Sequence, residues 1–407
     1  MADTNDEFNS DKKDNTCEVS SKAEQLSAQV VSEGTENVRR AIGSGGRLQS
    51  LDFYRGLIMV LLMMESSGIF SYLEKLGVGS RLQPIAEFLF SHAKWHGLHF
   101  WDLIQPGFMF VAGAAMAFSL YKQTARGVSW NEQHCHAWRR SGWLFFWGVL
   151  DYAVAGDHLV FELWDVLTQL SFTLLVAFYI FRWKTSRQLI LCAALLLLTE
   201  FLYRYTGIEG FSAPFTDQHN FGNFIDLVLM GKTSPGGWVA INCLPTAVHT
   251  ILGAVVGKWL LTVSNYKVWI KRAMILGLLL LLFGYFLDGS GMTPIIKRIA
   301  TTSFTLVSGG WCLLALICMF WWIDIRGHKR WLRFFTIVGM NSIFIYLFFE
   351  IVVGDWLFDY SQVLIGGLLS LISVPAMLSS LIASLALFIF QWGLCWWLYK
   401  KKIFFKV

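Results

Sequence analysis

Residues 91–106 read Ser91-His92-Ala93-Lys94-Trp95-His96-Gly97-Leu98-His99-Phe100-Trp101-Asp102-Leu103-Ile104-Gln105-Pro106, and an unbroken apolar run over 107–120 follows. Three histidines and an aspartate therefore crowd the mouth of a segment with the length and apolarity of a membrane span. Ionisable groups are costly there, because water is scarce and an unpaired charge carries a desolvation penalty. Histidine is the side chain most easily tuned to exchange a proton near neutral pH. The stretch reads as a proton-handling or ligand site at a membrane face.

The rest of the chain agrees with a membrane setting. Its 407 residues are 55% hydrophobic and 15% charged, with a mean hydropathy of +0.51, whereas soluble domains carry about a quarter charged residues. The predicted fold is an all-α polytopic membrane helical bundle of about ten spans. Their cores lie at 53–73, 98–121, 138–155, 160–182, 187–205, 238–262, 268–287, 300–323, 332–356 and 376–399. The apolar stretch 361–374 ends at Pro375 and is expected to form an interfacial or half-buried helix leading into the last span. Residues 1–46 are polar and lack the apolar core of a signal peptide. They read as a disordered cytoplasmic tail ahead of a transmembrane domain over 47–407.

A net charge of +5 is too small to argue for nucleic acid. The basic residues instead cluster in alternate loops: Arg139 and Arg140, Arg182 to Arg187, Lys267 to Arg272, Arg326 to Arg333, and Lys400 to Lys402. This asymmetry predicts that both termini face the cytoplasm and that His92 lies in the first external loop. The longest external loop, 205–237, could cap a substrate site. The seven cysteines form no CxxC pair and read as free packed thiols. No internal repeat is visible.

Several segments carry a resemblance. They are Arg47-Leu48-Gln49-Ser50-Leu51-Asp52-Phe53-Tyr54-Arg55-Gly56-Leu57, His92-Ala93-Lys94-Trp95-His96-Gly97 and Asp102-Leu103-Ile104-Gln105-Pro106, with weaker matches at 222–226, 252–258, 294–303 and 339–343 and a basic ending at 400–406. In this order the chain resembles the heparan-α-glucosaminide N-acetyltransferase family of membrane acyltransferases, in particular its shorter bacterial relatives without the large lumenal domain. The resemblance implies transfer of an acetyl group from cytosolic acetyl-CoA to the amine of a terminal glucosamine across the membrane, and a bacterial inner (plasma) membrane location. The family's active histidine falls on His92. The implied partners are acetyl-CoA, a glucosamine-type or glycan acceptor, the lipid bilayer and a second copy in a homodimer; no metal and no nucleic acid are expected. The sequence departs from the family at His96 (commonly Asn), at Glu65-Ser66 (Asn), at Thr168-Gln169 (Gln-Arg) and at Ser234-Pro235-Gly236-Gly237 (an acidic Pro-Glu-Gly turn). These changes bear on the acceptor more than on the reaction class, and Ser66 touches the catalytic pocket itself.

Each candidate has a functional and a structural reading. His92 can accept the proton an amine loses as it attacks a thioester, worth about 10²–10⁴ in rate, or can itself take the acetyl group; the alternative is a loop histidine capping a helix. His96, His99 and Asp102 follow at steps of four, three and three, which a continuous helix would gather on one face. That face suits an orienting shell in which Asp102 fixes a tautomer or, as the second choice, a metal site. Asp52 reads as an ion-pair partner of Arg55, and Arg55 with Arg47 as a pair for coenzyme A phosphates. Asn341 and Ser342 could hold the pantetheine amides or join helices. Lys297 could stabilise an oxyanion on the thioester or reach out to water. Glu65, His96, Glu350 and Asp226 are candidates to meet the acceptor, and Trp95 and Trp101 to stack on its ring. The competing function is an amino-sugar permease with the histidines as a proton relay. It would need helices broken near the bilayer midplane, and the only break visible in the sequence, Gln105-Pro106-Gly107, lies nearer the outer end. O-acylation of a surface glycan is a third reading of the same site.

Overall fold

The computed structural model describes residues 48–77, 79, 81, 83–154, 160–263 and 265–405. The polar tail at 1–46, Arg47, Cys17 and Lys406 lie outside the described residues. Every regular element among them is helical: α1 (Gln49–Ser66), α2 (Ile69–Gly77), α3 (Gln83–Phe90), α4 (Ile104–Ala125), α5 (Trp130–Val154), α6 (Val166–Ile180), α7 (Thr185–Tyr205), α8 (Phe221–Met230), α9 (Cys243–Thr262), α10 (Tyr266–Gly289), α11 (Thr302–Met319), α12 (Leu332–Gly339), α13 (Ser342–Leu347) and α14 (Ala376–Lys400).

Six helices are long and apolar enough to cross a membrane, and eight spans result if each of two bent pairs counts as one. These eight coincide with eight of the ten expected spans. The other two expected spans, 138–155 and 160–182, correspond to α5 and α6, which fail on composition and on length. The 25-residue α5 carries Glu132, Arg139, Arg140 and Asp151, and α6 has 15 residues, against the roughly 20 apolar residues a crossing needs.

The bent pairs correct the reading that Gln105-Pro106-Gly107 is the sole break. Pro106 sits in the first turn of α4, where its missing N–H costs nothing, and α4 runs on without interruption. The chain instead bends by 67° between α1 and α2 and by 76° between α12 and α13. At the first bend Gly68 takes a φ of +76°, open to glycine at no steric cost, and the buried Ser67 hydroxyl bonds back to Met63 O at 2.7 Å. The 361–374 stretch is not a separate interfacial helix. From α13 the chain stays helical through the π-helical stretch Phe348–Leu357 and on to 370, exposing Val363, Leu364 and Leu368, before Pro375 starts α14.

The centre of the bundle is the seam between α4 and α9. A Cβ at Gly113 would overlap the Thr250 carbonyl, and one at Gly253 would overlap the Phe110 carbonyl. The two backbones therefore touch through reciprocal glycines, the close approach that small residues permit between membrane helices. Outer helices behave differently: α7 and α10 leave Leu197, Phe201, Leu282 and Phe286 exposed, as expected of faces that meet hydrocarbon. The six described cysteines are free.

Candidate active site

His92 lies in an irregular loop between α3 and a short 3-10 turn, Phe100–Leu103, which leads into α4. The loop doubles back because Asp102, fully buried at the start of that turn, collects its polar groups. Asp102 Oδ2 accepts from the backbone N–H of His99 at 2.9 Å and of Ala93 at 3.3 Å, while Oδ1 lies 2.7 Å from His92 Nδ1. A carboxylate can only accept, so Nδ1 carries the proton and Nε2 keeps its lone pair.

Lys297 arrives from the other direction, 205 residues away in sequence. The loop before α11 is buried, with Ile295, Ile296, Ile299 and Ala300 almost wholly covered. Its shape is held by Thr301 Oγ1 and Ser303 Oγ, each donating to Pro294 O at 2.8 Å, and by Gly97 N–H donating to Ile295 O at 2.9 Å. The Lys297 ammonium sits 3.5 Å from Asp102 Oδ1 and 3.1 Å from His92 Nδ1. With Nδ1 protonated towards Asp102, the second contact is not a hydrogen bond, and Lys297 acts on the ring by charge. Burial, helped by this charge, holds the His92 imidazole below its ordinary 6.5, against the pull of Asp102. Burial also pushes the Lys297 ammonium down to about 8, although Asp102 and Glu65 favour its charged form.

His92 and Lys297 line a cavity of about 210 Å³ together with Glu65 of α1, Gln105 of α4, Tyr346 of α13 and Glu350. Its walls include the indoles of Trp101, Trp164 and Trp238. Trp101 Nε1 donates to Glu65 Oε1 at 2.7 Å, and Trp164 Nε1 to Asp226 Oδ2 at 3.1 Å. Tyr346 Oη donates to Asp165 Oδ2 at 2.6 Å, and Asp165 Oδ1 caps α6 by accepting from Leu167 N–H at 2.6 Å. Besides His92 and Lys297, the lining carries a second polar group of Asp165, Tyr152, Tyr346 and Glu350.

Five residues singled out in the sequence (Glu65, His92, Trp101, Lys297 and Glu350) line this cavity, with Asp102 directly behind His92. Others go elsewhere. The helical face expected of 92, 96, 99 and 102 does not form, because Gly97 takes a φ of +117° and the segment is a loop. His96 Nε2 pairs with Asp288 Oδ1 of α10 at 2.7 Å, and His99 Nδ1 donates to Ser91 O at 3.0 Å. The three imidazoles reach different partners, so they do not gather around one point as the second-choice metal reading required.

Trp95 donates to Phe215 O at 2.8 Å and packs in an outer cluster with Tyr203 and Phe221. Asp226, expected to hold acceptor hydroxyls, is fully buried; its other oxygen accepts from Ala240 N–H at 2.9 Å, so it orients Trp164 instead. Ser66 does not line the cavity, and its hydroxyl turns back to Met63 O at 3.1 Å. The Asn341 amide, expected to meet pantetheine, is spent on the chain's end: Nδ2 donates to Ile403 O at 3.1 Å and Oδ1 accepts from Phe405 N–H at 2.9 Å. Ser342 starts α13 beside it, and neither Ser342 nor Arg55 of α1 lines the cavity.

Sequence reasoning did not single out Tyr152, Trp164, Asp165, Trp238 or Tyr346. Two signals were available. Asp165 directly precedes an apolar run, the position of a helix cap, and Tyr346 stands four residues before Glu350, on the same helical face.

No family model matches the chain. It is similar to the heparan-alpha-glucosaminide N-acetyltransferase of Mus musculus, 25% identical over 454 aligned positions that cover 95% of this chain and 64% of that protein. The chain thus spans less than two thirds of that relative's length. At this identity the match supports a distant relationship.

Proposed function

We propose that the chain is a membrane-embedded acetyltransferase that moves an acetyl group from acetyl-CoA, entering from the cytosol, to the amine of a glucosamine-type acceptor on the opposite side, with both termini cytoplasmic. The observation that carries this reading is the His92–Asp102 pair. Asp102 fixes the proton on Nδ1, so Nε2 is presented as a base beside a cavity, and burial keeps the ring neutral near pH 7. The distant relationship to an N-acetyltransferase supports the same chemistry.

In the direct route the acceptor amine attacks the thioester carbonyl and its proton passes to His92 Nε2. The C–S bond then breaks, and Nε2 returns the proton to the departing thiolate. In the covalent route Nε2 attacks first and an acetyl-imidazolium forms as the thiolate leaves; the amine then displaces the neutral ring, and the proton it loses goes to the thiolate. Asp102 stabilises the charge that develops on the ring in either route. The Lys297 ammonium, in contact with the His92–Asp102 pair, can stabilise the oxygen that becomes negative. The indoles of Trp101, Trp164 and Trp238 offer apolar faces for a sugar ring, and Glu65 and Glu350 offer acceptors for its hydroxyls.

The test is acetyl transfer from radiolabelled acetyl-CoA to glucosamine by the purified chain in nanodiscs. His92→Ala should abolish it while leaving the elution profile unchanged. Trapping acetylated protein without acceptor selects the covalent route. One observation favours a second reading: the two bent helix pairs are the sort of break an amino-sugar permease uses. Sugar uptake into liposomes without acetyl-CoA consumption would establish that reading and overturn the first.

A further inference from the structure

A second, smaller void of about 90 Å³ lies on the helices that wall the cavity, towards their other ends. Ser119 and Gln123 of α4, Gln133, His136 and Arg140 of α5, and Phe178 of α6 line it. At 1.5 Å per residue, the steps from Phe108 to Met116 on α4 and from Val166 to Leu174 on α6 separate the two spaces by about 12 Å.

The polar groups of this void are unfinished. Arg140 Nε is buried without a hydrogen-bond partner, and so is Gln123 Oε1. A buried guanidinium N–H left unpaired is costly, more so beside another cation. Arg55 of α1, singled out in the sequence as a phosphate ligand, acts on Arg140 through space. The Gln123 orphan has a simple remedy. Its Nε2 lies 3.1 Å from Ser119 Oγ; turning the amide over lets Oε1 accept from that hydroxyl and puts an N–H donor at the unpaired position. His136 Nδ1 lies 3.3 Å from Arg139 Nη2 as an acceptor, which leaves the proton on Nε2. The residues around the void then include N–H donors on Arg140, Gln123 and His136, a set that suits an oxyanion with several acceptor oxygens. A liquid water takes about 30 Å³, so the space of about 90 Å³ is of the size of one phosphate group.

The catalytic cavity raises the matching question. At about 210 Å³ it falls below the roughly 300–1,000 Å³ of sites that enclose drug-sized ligands. It can hold an acetyl thioester or a sugar ring, but the nucleotide part of a coenzyme A must lie elsewhere.

We propose that the Arg140 void is a phosphate-binding subsite for the donor: Arg140, with Gln123 and His136, takes a phosphate of coenzyme A, and the pantetheine arm runs along α4 and α6 to His92. This rests on the acetyl-CoA reading above. The same chemistry would also receive the phosphate of an anionic lipid or inorganic phosphate, and the experiment separates these sources.

Dissociation constants are measured for coenzyme A, pantetheine and inorganic phosphate on the full chain in phosphatidylcholine nanodiscs, as wild type, Arg140→Gln, Arg140→Lys and Gln123→Leu. Arg140→Gln should weaken coenzyme A by about ten-fold or more and leave pantetheine unchanged, with Arg140→Lys between them and Gln123→Leu showing a smaller loss of the same kind. If Arg140→Gln does not fold, the other two variants carry the same comparison. Unchanged coenzyme A affinity in the variants overturns the subsite and leaves the acetyltransferase reading standing. An Arg140-dependent effect seen only when phosphatidylglycerol is added, or only with inorganic phosphate, assigns the void to those anions and overturns the donor assignment. A wild type that binds neither coenzyme A nor pantetheine overturns the donor reading together with the subsite.

Discussion

The α4–α9 seam and the His92–Lys297 corner share α4 but are built by opposite means. The seam is backbone against backbone, with Gly113 and Gly253 each facing a carbonyl of the other helix. The corner is two loops tied by side chains to backbone atoms: Asp102 gathers 92–99, and Thr301 and Ser303 gather 294–303. The seam tolerates no added atom, whereas the corner tolerates loss of a side chain that only performs chemistry. Stability and activity should therefore respond separately to substitutions in the two regions.

The largest separation is expected at His92. Its ring is partly exposed to the cavity, so His92→Ala removes little buried packing. Acetyl transfer should fall by about 10²–10⁴, with the unfolding temperature unmoved. Asp102→Asn should approach this loss, because the amide can no longer hold the tautomer. A steady-state assay beside a thermal melt in the same detergent checks both, and a large fall in melting temperature for His92→Ala would erase the distinction between the regions.

The converse substitution is Gly253→Ala. Its methyl would overlap the Phe110 carbonyl, forcing the helices apart at a cost of about 1–3 kcal/mol. The melting temperature should drop, while the protein that remains folded keeps its KM for acetyl-CoA. Undiminished stability would mean that the seam is looser than the glycine contacts imply.

The same contrast explains what was legible in the sequence. Spans announce themselves through length and apolarity, and eight of ten emerge where expected; α5 and α6 fall short because Arg139 and Arg140 interrupt one and the other has only 15 residues. The corner is different. Spacing arithmetic put His96 and His99 on a face with His92, but that presumes a helix, and a positive φ at Gly97 removes it. Glu65, His92, Lys297 and Glu350 were each suspicious as charges in apolar surroundings, a local signal. That His92 and Lys297 touch across 205 residues is not local. Asn341 misled for the same reason: a buried amide needs partners, but the sequence does not say that they are the carbonyl of Ile403 and the N–H of Phe405.

The electrostatics of the corner can be sharpened by pH. The base must be neutral to accept a proton, and burial with the Lys297 charge holds its titration below 6.5. Activity should therefore rise through a midpoint below 6.5 and be level at pH 7. Lys297 titrates at about 8, so loss of its charge should bring a decline above that value. In Lys297→Met the alkaline decline should disappear. The acid midpoint should move up, because removing a neighbouring cation makes the imidazolium easier to form. A profile of kcat/KM whose acid limb stays in place would show that Lys297 does not act on His92 by charge.

The smallest effect is expected at His96, which the sequence offered as an acceptor ligand. It stands in the same loop as His92 but on its outer side, with 59% of its side chain exposed and Asp288 as partner. Asp288 has a second tie, accepting from the Ile295 N–H at 2.8 Å, so the Lys297 loop keeps its anchor when the imidazole is removed. Exposed ion pairs contribute about 0–1 kcal/mol, and His96→Ala should cost no more than that in stability. Its kcat should be unchanged, because Lys297 is also positioned by Thr301 and Ser303. A KM for the acceptor raised several-fold in His96→Ala, with kcat intact, would move the acceptor site outward from the cavity to the loop's exposed face, and the corner would then bind as well as catalyse.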